Sequence, residues 1–159
     1  MAKPSATKTS VTKANPAYEA TVVDSTKLKR TKVWGETDKA VNWEGAFAVY
    51  GGNGTTASST IVYEVEPGKR LGCTPTPPRK PSTSSPGRAS SISRTDRSIW
   101  SGPGSVFVLP TPMRHDLENT GKETLRAVAF FAAAMFTQDF DQVMLPPKSH
   151  ILGTPNRAG

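Results

Sequence analysis

Gly104-Ser-Val-Phe-Val-Leu-Pro-Thr-Pro-Met-Arg-His-Asp-Leu-Glu-Asn119 decides how the rest of this chain is read. Val106–Leu109 is a run of apolar, strand-favouring residues of the length of a short buried strand. Pro110–Met113 holds two prolines, which donate no backbone hydrogen bond and so end a ladder and turn the chain. His115 re-enters on the next strand. Asn119-Thr120-Gly121-Lys122 then reads as a hairpin turn, with Leu125–Phe131 as the returning strand.

The rest of the chain agrees with this strand–turn grammar. With 14 prolines and 13 glycines in 159 residues, many turns and few long helices are expected. Strand-like runs occur at Tyr18–Val23, Gly45–Tyr50 and Thr60–Val65, separated by clusters such as Gly51-Gly52-Asn53-Gly54. Ala132–Met135 reads as a strand end running into a cap, and the tail after Phe136 as irregular and Pro-rich. An all-β sandwich or barrel follows. The length suits one domain, since domains commonly run about 100–150 residues. Residues 1–16 are Lys-, Ser- and Thr-rich and read as a disordered tail. Residues 17–159 read as a single domain interrupted by a Ser-, Pro-, Thr- and Arg-rich segment at 73–101. The longest apolar stretch, Ala127–Phe136, is too short to span a bilayer, which takes about 20 residues. The start of the chain lacks the apolar core of a secretory signal.

Cys73 is the single cysteine, so neither an internal disulfide nor a Cys-based zinc site can form. A metal or redox role for this thiol competes with the plainer reading of an inert one, and the expected compartment is the cytoplasm. The net charge of +7 raises nucleic-acid binding as a class, but its distribution argues against it. Thr74–Ile99 holds Arg79, Lys80, Arg88, Arg94 and Arg97 against Asp96, a net of +4, which leaves an ordinary +3 elsewhere.

Gly104, Pro110, His115 and Asn119 fall at the spacing of the second conserved motif of the cupins, and the chain resembles a small single-domain cupin. That resemblance implies a jelly-roll β-barrel. It also implies that His115 points into the barrel as a ligand for a divalent metal, and imidazole suits iron, manganese, nickel, copper or zinc. The family's turn usually carries a glycine where this chain has Pro112. Tyr63 and Phe107 are candidates to line a substrate pocket, against the plainer reading that both are core. His150, in the Pro-rich tail, reads as structural or exposed.

The first cupin motif, which supplies most metal ligands, is approached and then lost. Thr60–Glu66 reads as its leading strand and Glu66-Pro67-Gly68 as its opening turn. Counting on from Gly68, the ligand positions hold Thr74, Thr76 and Lys80, which is no ligand set. Reading the gene one nucleotide earlier through this stretch repairs the pattern. With suitable third bases it can read HTDSAEETQYIISGKGELYLEDG, placing histidine at position 74, an acid at 76 and glutamate at 80. Residues 73–101 are therefore read as an out-of-frame translation of a cupin core, with a genuine low-complexity insertion as the alternative. As written, 74–98 has little apolar content and is expected to be poorly ordered, leaving metal binding by His115 weak or absent.

Two classes of function follow. One is a cupin-fold small-molecule-binding protein or metal-dependent enzyme of dioxygenase, isomerase, lyase or cyclase type, with an incomplete metal site. The other is a non-enzymatic interaction protein that presents Arg79-Lys80-Pro81-Ser82 and Arg88-Ala89-Ser90-Ser91 to anionic partners. No aromatic residue interleaves those arginines before Trp100, which weighs against single-stranded nucleic acid. By analogy with cupins of this size, a homodimer formed through an edge such as Tyr18–Val23 is expected. No nucleophile elbow or phosphate loop is present.

Overall fold

The computed structural model describes residues 22–75, 80–85, 89–93, 98–110 and 113–155. Every regular element among them is a strand: β1 Thr31–Gly35, β2 Asn42–Val49, β3 Ser59–Val65, β4 Thr74–Pro75, β5 Lys80–Ser85, β6 Ala89–Ser93, β7 Ser98–Ser101, β8 Val106–Leu109, β9 Arg114–Asn119, β10 Leu125–Phe131, β11 Thr137–Leu145 and β12 Ser149–Gly153. All strand pairings are antiparallel.

The strands form two sheets. One runs β12-β11-β1-β2-β3-β10-β5-β8 and the other β4-β9-β6-β7. Consecutive strands pair at β1-β2-β3, β6-β7 and β11-β12, while β3-β10, β10-β5, β4-β9 and β9-β6 join strands far apart in sequence, so the chain crosses between the layers, as a jelly roll requires. β10 shows the underlying pattern. Leu125, Ala127, Ala129 and Phe131 are buried and the residues between them exposed, the alternation of a strand with one face in the core. These four pack with Ile61, Tyr63 and Val65 of β3, with Leu71, and with Leu117 of the opposite sheet, forming the main core between the layers. A second cluster of Val33, Val41, Phe140 and Met144 extends it beneath β1 and β11.

Four expectations need correction. β9 and β10 lie in different sheets, so Asn119–Lys122 is a crossing between layers and not a hairpin. The region after Phe136 is not irregular, since it forms the nine-residue β11 and, after Pro146 and Pro147, β12. The polar run Thr-Gln-Asp-Phe-Asp-Gln hid an alternation that places Gln138 and Phe140 inward. Strand β1 was not expected, because Thr31–Gly35 has only Val33 and Trp34 as apolar residues. The described part of 74–98 carries strands where poor order was expected: β5 pairs with β10 and β8, and β6 with β9 and β7. Backbone N–H and C=O groups make a ladder whatever the side chains, and β8, β9 and β10 offer edges on both layers. Residues 1–21, which include the polar tail and most of Tyr18–Val23, lie outside the described residues, as does Pro112. Val22 and Val23 are not in a strand.

Candidate functional site

The turn before β9 closes through a hydrogen bond from the Met113 N–H to the Pro110 carbonyl, 2.8 Å. It delivers His115 to the second position of β9, where it is 5% exposed. Its Nδ1 lies 3.1 Å from the Met113 carbonyl. Leu117, two residues on and hence on the same face, packs on the core, so His115 is turned inward. Its ladder partners are Thr74 and Ser93.

The remainder of the motif is structural. Asn119 is fully buried. Its Nδ2 donates to the carbonyls of Val65 and Glu123, each at 2.8 Å, and its Oδ1 accepts from the Gly121 N–H at 3.0 Å. Asp116 is also buried. Its Oδ1 accepts from the N–H groups of Gly72 at 2.8 Å and Leu117 at 2.7 Å, while Oδ2 pairs with Arg70. Arg70 also pairs with Asp38, whose carboxyl it holds below the usual carboxylate range, with help from the Ala40 N–H. This lacing ties β9 to Lys69–Gly72, the run that leads into β4. Cys73 is half-buried, with the Arg114 guanidinium 3.7 Å from its sulfur. Arg114 in turn pairs with Asp141. His150 sits exposed on β12 with Nδ1 3.0 Å from the Phe140 carbonyl, a structural contact.

Among the described residues, the site does not fit a metal, since no three His, Cys, Asp or Glu side chains converge. The ladder neighbours of His115 are hydroxyl residues, which do not make a divalent site with one imidazole. The side chains of Arg79, Lys80 and Arg88 lie outside the described residues.

The site that the structure does offer is a cavity of about 540 Å³ formed by β1, β2, β3, β11 and β12. Ile61 and Tyr63 of β3, Trp43 and Phe47 of β2, and Phe136, Gln138 and Phe140 at β11 line it, with Leu28 and Lys29 on one side and Ile151 and Leu152 on another. Aromatic contacts organise the wall. Trp43 meets Tyr63 edge-on at 5.4 Å, Phe47 meets Phe136 at 5.8 Å, and Phe136 stacks on Phe131 at 3.9 Å. Gly45 makes room, since a Cβ there would stand 2.8 Å from the Trp43 ring and 3.4 Å from Tyr63. Tyr63 lines this cavity, and Phe107, half-buried on β8, does not. His115 does not line it either. Trp43 fell outside the expected strand Gly45–Tyr50, which the structure extends back to Asn42, and Gln138 and Phe140 were hidden by the polar tail.

The fold is the jelly-roll barrel of the cupins, as the two facing sheets and the structural comparisons agree. Among solved structures, the chain is similar to the polyketide cyclase RemF from Streptomyces resistomycificus, with a TM-score of 0.60, 15% identity and coverage of 70% of this chain and 78% of that one. It is equally similar to a predicted oxalate decarboxylase from Thermotoga maritima, with a TM-score of 0.60, 16% identity and coverage of 71% and 99%. Bacillus subtilis oxalate decarboxylase, studied for its Mn(II) centres, aligns with a TM-score of 0.56 at 19% identity, over 68% of this chain and 30% of that one. No protein-family model matches the chain, and no curated protein does.

Proposed function

We propose that this chain is a cupin-fold small-molecule-binding protein whose ligand sits in the aromatic cavity beside Tyr63, and that its metal centre is incomplete as written, with His115 the remnant ligand. The cavity carries the reading. Its volume lies within the roughly 300–1,000 Å³ of small-molecule sites, and its apolar wall holds a few polar groups, as such sites do. Similarity to a cyclase and to decarboxylases supports an enzyme or binding protein of cupin fold in general. A metal-dependent reaction of dioxygenase, isomerase, lyase or cyclase type would need ligands that the described residues lack.

The reading-frame account of that lack, with third bases chosen to suit it, matches the spacing of the strands. β5 and β6 are separated by 86–88, where the shifted reading writes Ser-Gly-Lys. β6 and β7 are separated by 94–97, where it opens with Glu-Asp-Gly. Both are turn sequences. The apolar residues of the shifted reading, Tyr-Ile-Ile and Leu-Tyr-Leu, fall within β5 and β6.

Mass spectrometry of the purified protein tests both parts. Peptides matching Leu71–Arg79 and Ala89–Arg94 would establish the written segment and exclude the shifted one. For the cavity, a one-to-one small-molecule complex in native spectra should be lost in Ile61→Trp, which fills the space, while unfolding stays cooperative. Undiminished binding in that variant would place the ligand elsewhere. One equivalent of bound metal that disappears in His115→Ala would replace the binding reading with a metal-dependent one.

A further inference from the structure

A run of cations, Lys27-Leu28-Lys29-Arg30, stands immediately before β1. Two of its charges are matched, Lys27 by Asp24 at 3.4 Å and Arg30 by Glu64 at 3.1 Å. Lys29 forms no ion pair among the described residues, and it alone of the three cations lines the cavity. Side chains alternate from there into β1. Lys29, Thr31 and Val33 line the cavity, while Arg30, Lys32 and Trp34 between them do not. Along that inward file Lys29 and Thr31 are exposed and Val33 is buried. The wall therefore grades from a charge through a hydroxyl to hydrocarbon as it passes from rim to floor. At the floor Val33 clusters with Phe140, and Trp43 packs against that cluster.

The charge on the wall has one sign and one place. No carboxylate lines the cavity among the described residues, and its other polar side chains, Tyr50, Tyr63 and Gln138, belong to types that are neutral near pH 7. An acidic group at the rim would meet Lys29 and keep part of its hydration. Deeper, it would lose water with no counter-charge beside it. A cationic group would be repelled at the rim. An apolar body gains by leaving water for the aromatic wall whatever head it carries.

We infer that the cavity takes a compound with an apolar body and one acidic head, the head held at the rim by the Lys29 ammonium beside the Thr31 hydroxyl, the body among Val33, Trp43 and Phe140. This rests on the binding reading above and adds the class of ligand. Titration calorimetry with naphthylacetate, naphthylethanol and naphthylethylamine varies the head on one body. The acid should bind about threefold more tightly than the alcohol in dilute buffer, the scale of one exposed ion pair, and the amine more weakly than either. Raising salt to about 1 M, which screens charges beyond roughly 3 Å, should shrink that advantage. Lys29→Gln should remove it while leaving the alcohol's affinity unchanged, and Lys29→Glu should place the amine first. Lys32→Gln, three residues on and off the cavity, deletes the same charge and should keep the wild-type ranking. Thermal melts establish that the variants are folded. An alcohol bound as tightly as the acid, or an equal loss in Lys32→Gln, would overturn the acidic head and leave the binding of the apolar body standing. Failure of all three probes to bind the wild-type protein would overturn the binding reading together with it.

Discussion

Asn119 shows how far one side chain can hold a crossing. It is fully buried and satisfies two carbonyls and one N–H, from Val65, Glu123 and Gly121. Those groups flank the passage from β9 in one sheet to β10 in the other, so the motif's asparagine maintains the turn between layers. Asn119→Ala strands three buried or half-buried backbone groups and should cost about 2–3 kcal/mol, read as a lower midpoint in urea unfolding. A change under about 0.5 kcal/mol would mean that solvent replaces the side chain and the turn stands without it. Arg70 acts in the same neighbourhood by a different route. Its two carboxylate partners, Asp38 and Asp116, draw the segment before β4 against β9.

Within the elements, two glycines separate backbone need from spatial need. Gly104 opens the motif turn at φ 80°, in the left-handed region, and a Cβ there would meet nothing within 4 Å. Gly104→Ala should therefore cost about 1–2 kcal/mol of stability through the backbone alone and leave ligand affinity untouched. Gly45 has no such conformation, but its Cβ would press on the Trp43 ring at 2.8 Å. Gly45→Ala should weaken ligand binding several-fold with a smaller effect on stability, because the ring that moves belongs to the cavity wall. Calorimetric binding and thermal melts on the two variants give opposite patterns. Matching patterns would remove Gly45 from the site.

For the molecule as a whole, β10 and β8 carry exposed apolar side chains on the outer face of their sheet. Val128 and Val106 share a cross-strand row through Thr83, and Val108 lies one row along, opposite Pro81. Val106 is 63% and Val108 76% exposed, and Phe130 on the same face of β10 is also exposed. β8 ends its sheet and carries no charge to discourage pairing. We propose that a second copy covers this face, in place of an interface at Tyr18–Val23. A two-fold axis beside β8 would bring Val106 and Val108 onto their own counterparts. Light scattering should then give a dimer for the wild-type protein and a monomer for Val108→Lys. A wild-type monomer, or a dimer that survives the substitution, would reject it.

Much of this was readable before any coordinates. Val106–Leu109 as a strand and the Pro-bounded turn follow from local chemistry, since apolar runs form strands and proline ends ladders, but the expected burial of that strand does not hold, because β8 ends its sheet with Val106 and Val108 exposed. The jelly roll followed from the resemblance those residues carry. The same local logic failed at Asn119–Lys122, where a plausible hairpin turn instead joins two sheets, because which strands pair is decided by non-local contacts. It failed again at Thr137–Leu145, where polar residues masked the inward Gln138 and Phe140. The cavity could not be read at all. Trp43, Tyr63 and Gln138 stand far apart in the chain, and only the packing of β2, β3 and β11 brings them to the wall of one space.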